Sequence, residues 1–206
     1  MKKIVLAAIA VVGLGATGFA QQQVKFGPKA GVNFSNLSKG NDFNDAKMRT
    51  GFHVGAVAEI KFNEKFSIQP EVLYSTQGSE VTTFATANVA AVSTIKNDYI
   101  NIPIMAKYYV VDGFSVEAGP QVGFLMKSET EGTVASPLGT TTGTRDTKDN
   151  YNSVDFGVNF GLAYDLPQGF FINGRYNLGL SDVIKDNTRD AIKNNVIQVG
   201  VGYKFD

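Results

Sequence analysis

A sequence of 206 residues with one histidine, His53, and no cysteine has few side chains suited to catalysis or metal binding at neutral pH. An enzyme acting at a membrane surface would set this histidine against a carboxylate or a serine. The spacing of the residues assembles no such group, and one histidine among scattered carboxylates does not make a zinc site. We therefore expect no catalytic residue, no metal, no cofactor and no enzymatic activity.

Charged side chains offer a different chemistry, because nineteen Lys and Arg residues balance nineteen Asp and Glu residues. A nucleic-acid partner would require clustered basic residues, so we expect none. Charges that are buried need oppositely charged partners. The side chains that we expect to form a polar network inside the protein are Lys25, Lys29, His53, Glu59, Lys61, Glu71, Lys107, Glu117, Asp155, Arg175 and Lys204.

These polar residues lie on one face of eight segments in which polar and apolar residues alternate. The segments are 25–34, 52–62, 66–77, 99–108, 114–124, 154–164, 170–179 and 197–205. A period of two indicates β-strands with one apolar face. The segments are about ten to thirteen residues long, whereas a usual strand has about five or six and a tilted strand that crosses a bilayer needs about nine to eleven. Their length therefore favours a membrane-spanning sheet.

The links between the segments alternate in length. Links 63–65, 111–113 and 165–169 are short, and links 35–50, 78–97, 127–152 and 182–194 are long. Outer-membrane barrels alternate short periplasmic turns with long extracellular loops, and aromatic residues border both interfaces. Apolar-face aromatics gather here beside the short links. We predict an all-β fold, a closed eight-stranded antiparallel up-and-down transmembrane β-barrel, with both termini periplasmic and with link 127–152 as a mobile surface loop.

The interior of such a barrel is narrow, because eight strands enclose just enough space for side chains. We therefore expect the polar network to fill the lumen and leave no wide channel. Folding the chain about the link 111–113 places Lys107 opposite Glu117, and we predict an ion pair between them. Inward-facing glycines, such as Gly161, would leave room for long Lys and Arg side chains.

The first twenty residues differ from the rest of the chain. Two lysines precede an apolar stretch, and small residues precede Gln21. This pattern is typical of a secretory signal peptide and is too short for a membrane anchor. We predict a signal peptide at 1–20, cleavage between Ala20 and Gln21, and one outer-membrane β-barrel domain at 21–206.

Several stretches carry a family resemblance: FGPKAGVNFS at 26–35, YINIPIMAKYY at 99–109, VEAGPQVG at 116–123 and RYNLGLS at 175–181. They resemble the PorT-like outer-membrane β-barrel domain, whose members are often called porin family proteins. The C-terminal residues Tyr203 and Phe205 resemble the signal that the barrel assembly machinery recognises in Gram-negative cells. The resemblance implies the outer membrane, with its lipid and lipopolysaccharide, as the protein's environment and this machinery as its partner during assembly.

Three functions are compatible with this pattern. The leading hypothesis is a structural, adhesion or accessory role, as in secretion and gliding machinery, with a filled lumen and a protein partner bound through the extracellular loops. The second is a narrow porin that passes small solutes. The third is an enzyme at the barrel rim that acts on lipid or peptide, which would require His53 hydrogen-bonded to a carboxylate or a hydroxyl in a groove. A periplasmic lipocalin-like carrier is the alternative fold.

Overall fold

The computed structural model describes residues 23–39, 47–86, 89–188 and 190–205. Nine strands occur in this part of the chain: β1 Gln23–Lys39, β2 Lys47–Lys61, β3 Phe66–Ala85, β4 Ala90–Val111, β5 Phe114–Ser136, β6 Gly139–Asp146, β7 Val154–Asp165, β8 Phe170–Gly179 and β9 Ile192–Tyr203. A single 3₁₀ turn covers Lys148–Asn150. The predicted signal peptide and its cleavage site, Ala20 and Gln21, lie outside the described residues.

Eight of these strands close into a ring in the order β1, β2, β3, β4, β5, β7, β8, β9. All neighbouring pairs are antiparallel, and β9 closes the ring against β1 through a register that runs from Lys29↔Gly202 to Lys39↔Ile192. Closure pairs the backbone groups of every barrel strand on both sides, as the interior of a bilayer requires. The predicted antiparallel, up-and-down barrel is confirmed. The strand β6 stands outside the ring, and among the described strands it pairs with β5 alone.

Alternation along each strand sets which side chains enter the lumen. On β7, Asp155 is 8% exposed whereas the next residue, Phe156, is 52% exposed. Buried and exposed side chains alternate in the same way along the other barrel strands. Polar residues are therefore buried inside, and apolar residues cover the outer wall. This arrangement is the reverse of that in a water-soluble barrel and fits a wall that contacts lipid. In the described part of the chain, no helix has the length and apolar character needed to cross a membrane.

Aromatic side chains form the border of the wall at the short-turn end. Phe170 packs on Tyr203 at 4.9 Å between ring centroids, and Tyr203 packs on Phe205 at 5.0 Å. Phe205 also contacts Phe26 near the start of β1. Both described chain ends therefore lie at the end of the barrel that carries the short turns.

The opposite end of the barrel differs from the prediction, because most of links 78–97 and 127–152 is strand. The β3–β4 pairing continues from Gly78↔Lys96 to Ala85↔Ala90, and β5 turns through residues 137–138 into β6. We call residues 78–85, 90–97, 128–136 and 139–146 the projecting sheet. The expectation of a mobile loop at 127–152 is wrong, because threonines, which favour strands, continue the hairpin beyond the barrel wall.

Candidate functional site

Two layers of ion pairs fill the lumen. The lower layer, nearer the short turns, consists of Glu59, Asp165, Lys107 and Lys204. The ammonium of Lys204 lies 2.8 Å from Asp165 and also contacts Glu59. Lys107 lies 3.5 Å from Asp165 and 3.8 Å from Glu59. The hydroxyl of Tyr109 reaches both carboxylates. Two cations therefore balance two anions, and the layer has no net charge.

The middle layer consists of Lys29, Glu71, Glu117 and Arg175. Arg175 donates through Nη2 and Nη1 to the two oxygens of Glu71 at 2.8 and 3.1 Å, and through Nε to Glu117 at 3.0 Å. Lys29 donates to Glu71 at 3.0 Å. All four residues are at least 96% buried. Fork-shaped contacts of this kind fix the guanidinium in one orientation, so the layer is rigid as well as neutral.

The partners of these charges correct one prediction. Lys107 and Glu117 are cross-strand neighbours, as expected, but the predicted ion pair between them is wrong. Lys107 turns to the lower layer, and Glu117 pairs with Arg175 instead. The reason lies in Gly161, which stands between Glu117 and Arg175 in the register. Without a side chain at this position, the guanidinium reaches across one strand to the carboxylate.

Two other predicted lumen residues, Lys61 and Lys25, lie at the mouth of the barrel beside the short turns. Lys61 places its ammonium 4.6 Å from the ring centre of Tyr109, a cation–π contact. Lys25 lies beside it on the wall of a cavity of about 440 Å³ that opens between the short turns. The lower layer forms the floor of this cavity, so the opening does not continue through the barrel.

His53 faces the lumen as predicted and is 1% exposed. Its Nδ1 bonds to the amide oxygen of Asn33 at 2.8 Å. Among the described residues, neither a carboxylate nor a hydroxyl bonds to this imidazole, which is the arrangement that a rim enzyme would need. Likewise, the described residues contain no cluster of three His, Asp or Glu side chains that could hold a metal.

An apolar cap closes the lumen at the end opposite to the short turns. Its buried residues are Tyr99, Leu125, Tyr151 and Val183. Tyr151 and Ile184 form a β-bridge that joins two links, and Asn152 secures it by donating to the carbonyl oxygens of Asp182 and Ile184 at 2.8 and 3.2 Å. Sequence reasoning missed this cap because Tyr151 and Val183 lie in links without alternation.

The projecting sheet stands on the rim beside this cap. Its last strand, β6, has all eight residues exposed, and five of them are Thr or Arg: Thr140, Thr141, Thr142, Thr144 and Arg145. Within the described residues, only one side of β6 is paired, through the register Thr130↔Arg145 to Ser136↔Gly139 with β5. The other side therefore presents a row of backbone N–H and C=O groups to solvent.

Comparison with known proteins agrees with this architecture. The sequence matches the family model for the outer membrane protein beta-barrel domain over residues 19–185. Neisserial surface protein A is 14% identical over 89% of this chain and 99% of that chain, with a TM-score of 0.52. Ail, the attachment invasion locus protein of Yersinia pestis, is 12% identical over 89% and 99% of the two chains, with a TM-score of 0.46.

OprG from Pseudomonas aeruginosa is 11% identical over 89% of this chain and 95% of that chain, with a TM-score of 0.36. No curated protein matches the sequence. Neisserial surface protein A, at 14% identity and a TM-score of 0.52, supports the fold alone, whereas the family model covers most of the sequence. The chain therefore belongs to the outer membrane protein beta-barrel domain family.

Proposed function

We propose that this outer-membrane barrel conducts no solute and acts from the cell surface, by binding a protein partner along the free edge of the projecting sheet. The observation that carries the proposal is β6, an exposed strand of eight residues that the described part of the chain pairs on one side only. An extended segment of a partner adds to such an edge through main-chain hydrogen bonds. An adhesion role or an accessory role in a larger assembly follows from the same contact.

The composition of β6 supports a binding edge. Natural proteins usually protect exposed edges with lysines, prolines or bulges. Here the pairing from Thr130↔Arg145 to Ser136↔Gly139 is continuous, without a bulge, and β6 contains neither lysine nor proline. Threonine favours extended backbone, so the edge is held in the geometry that a partner strand would meet.

A truncation tests this proposal. Residues 130–145 are removed, and Glu129 and Asp146, which are already cross-strand partners, are joined through an Asn-Gly turn. This deletion removes the free edge and the outer part of β5 but keeps residues 114–127 of β5, which form the barrel wall. We expect a partner that co-purifies with the full chain from the native membrane to be lost with this variant. In a matched control, the four threonines of β6 become serines and the backbone edge is kept, so the partner should be retained. An unchanged set of partners after truncation would contradict the proposal.

The narrow porin is the second candidate, and the filled lumen argues against it. Two neutral layers of ion pairs and the apolar cap occupy the path through the barrel. A rim enzyme is disfavoured by His53, which is buried against an amide. If His53→Ala changed envelope lipid or surface proteolysis, the non-enzymatic part of the proposal would be wrong.

The orientation in the membrane is part of the same proposal. Short turns in barrels of this class face the periplasm, which puts both termini there and the projecting sheet outside, next to lipopolysaccharide. We assign the chain to the PorT-like group on the stretches quoted above, and Tyr203 and Phe205 to recognition by the barrel assembly machinery. An epitope tag inserted after Leu138, at the turn before β6, should be stained on intact cells. A tag that is stained only after the outer membrane is opened would reverse the orientation.

A further inference from the structure

Among the described residues, one buried carboxylate of the lumen lacks a Lys or Arg partner. Glu59, Glu71, Glu117 and Asp165 each have a Lys or Arg nitrogen within 4.0 Å. Asp155 is 8% exposed, yet none of the described lysines or arginines approaches it to that distance. An isolated carboxylate in a water-poor interior is costly unless another positive charge compensates it.

The polar contacts of Asp155 leave its charge uncompensated. Oδ1 accepts a hydrogen bond from the hydroxyl of Ser181 at 2.6 Å, and Oδ2 accepts one from Nδ2 of Asn194 at 3.3 Å. Both donors are neutral. The same NH₂ group of Asn194 also donates to Oε1 of Gln77 at 2.5 Å. Oδ1 of Asn194 has no hydrogen-bond partner among the described residues.

Further unpaired polar atoms surround this carboxylate. Nδ2 of Asn101 is buried without a hydrogen-bond partner, and Asn97 and the hydroxyl of Tyr99 have no partner other than each other. Orphan polar atoms are uncommon in native interiors, and a cluster of them points to an additional polar occupant.

The strands bring these groups together around Gly123. A Cβ built on Gly123 would lie 2.7 Å from Oδ1 of Asn101, 3.4 Å from the Tyr99 ring and 3.7 Å from Cβ of Asp155. Asn194 reaches the same carboxylate from β9. These close distances place the groups together directly below the apolar cap, to which Tyr99 also belongs. We refer to this polar cluster as the chamber.

We infer that this chamber binds a hard monovalent cation, such as Na⁺, with the carboxylate of Asp155 as its charged ligand. Carboxylate, amide and hydroxyl oxygens are the ligands that hard cations prefer. Oδ1 of Asn194, Oδ1 of Asn97 and the hydroxyl of Tyr99 supply the neutral oxygens. One negative charge balances one positive charge, so the occupied chamber is neutral, as the two ion-pair layers are.

Thermal unfolding of the refolded, full barrel in detergent tests this site. Choline chloride and NaCl at equal ionic strength screen surface charges alike, but only Na⁺ fits a chamber of oxygen ligands. We expect NaCl at ten times its dissociation constant to raise the midpoint by about 3 °C or more for a protein of this size. Asp155→Asn should abolish this gain, and Asp149→Asn, which changes an exposed carboxylate of the 3₁₀ turn, should keep it.

Equal midpoints in the two salts, or a gain that persists in Asp155→Asn, would overturn the inference. A water-filled chamber or a protonated Asp155 gives this result, because neither responds to the identity of the cation. Crystals of the unaltered protein grown in NaCl and in choline chloride give a second readout that does not depend on the folding of a variant. A density peak in contact with the Asp155 carboxylate that is present in NaCl and missing in choline chloride is expected, and its absence would likewise refute the site.

Discussion

Arg175 is the centre of the middle layer, and its replacement by glutamine is the most informative perturbation of the lumen. The change removes two hydrogen bonds to Glu71 and one to Glu117. Glu71 keeps Lys29 at 3.0 Å, whereas Glu117 loses its only ion pair within 4.0 Å among the described residues. Removing one partner of a buried pair costs about 3–5 kcal/mol, because the other charge stays buried without compensation.

Urea unfolding in lipid measures this loss. The chain has no tryptophan, so far-UV circular dichroism or the gel mobility of the folded barrel reports the transition. We expect Arg175→Gln to lower the free energy of unfolding by about 3–5 kcal/mol. The control is Lys96→Gln, which breaks the half-exposed pair with Glu131 at 2.7 Å and should cost about 0–1 kcal/mol.

A double variant separates the uncompensated charge from lost packing. Arg175→Gln combined with Glu117→Gln also removes the unpaired negative charge. The loss in free energy of unfolding should therefore be smaller than the sum of the losses in the two single variants by about 1–3 kcal/mol. The reasoning is refuted if Arg175→Gln costs no more than Lys96→Gln, or if the two single losses simply add.

Two further substitutions test the wall and the cap. Gly161→Ala should destabilise the barrel by about 1–3 kcal/mol, because the added Cβ would lie 2.6 Å from the carbonyl oxygen of Gly174 and 2.9 Å from Glu117. The control is Gly174→Ala, whose Cβ would meet open space. Equal urea midpoints of the two variants would contradict the steric argument. Tyr151→Ala should lower the free energy of unfolding by about 3 kcal/mol and speed amide hydrogen exchange in the neighbouring links. Leu138→Ala, at a fully exposed position, should change neither quantity. If the amides of Tyr151→Ala exchange as slowly as those of the parent, the cap does not seal the lumen.

The barrel itself was predictable from sequence because one physical constraint acts on every strand. Lipid outside and a crowded lumen inside force alternation, which is visible in neighbours such as Asp155 and Phe156. The projecting sheet was not predictable in this way, because both faces of its outermost strand, β6, meet water and the alternation disappears. Its threonines carry a preference for strand, but this preference is weaker than the signal of an apolar face.

Pairing inside the lumen was only partly predictable. The turn at 111–113 fixes Lys107 opposite Glu117, and this register is confirmed. The partner of Glu117 is Arg175, which lies two strands away and is reached over Gly161. No local sequence pattern predicts a contact that skips a strand in this way. The cap was missed for the same reason, since Tyr151 meets Tyr99 and Val183 only after the barrel has closed.

Single-channel recording in planar bilayers tests most directly the central claim that the lumen is sealed and the protein acts from its surface. The account predicts silence from the purified barrel while its gel mobility shows that it remains folded. Steady openings of the unaltered protein would contradict the account and favour the narrow porin.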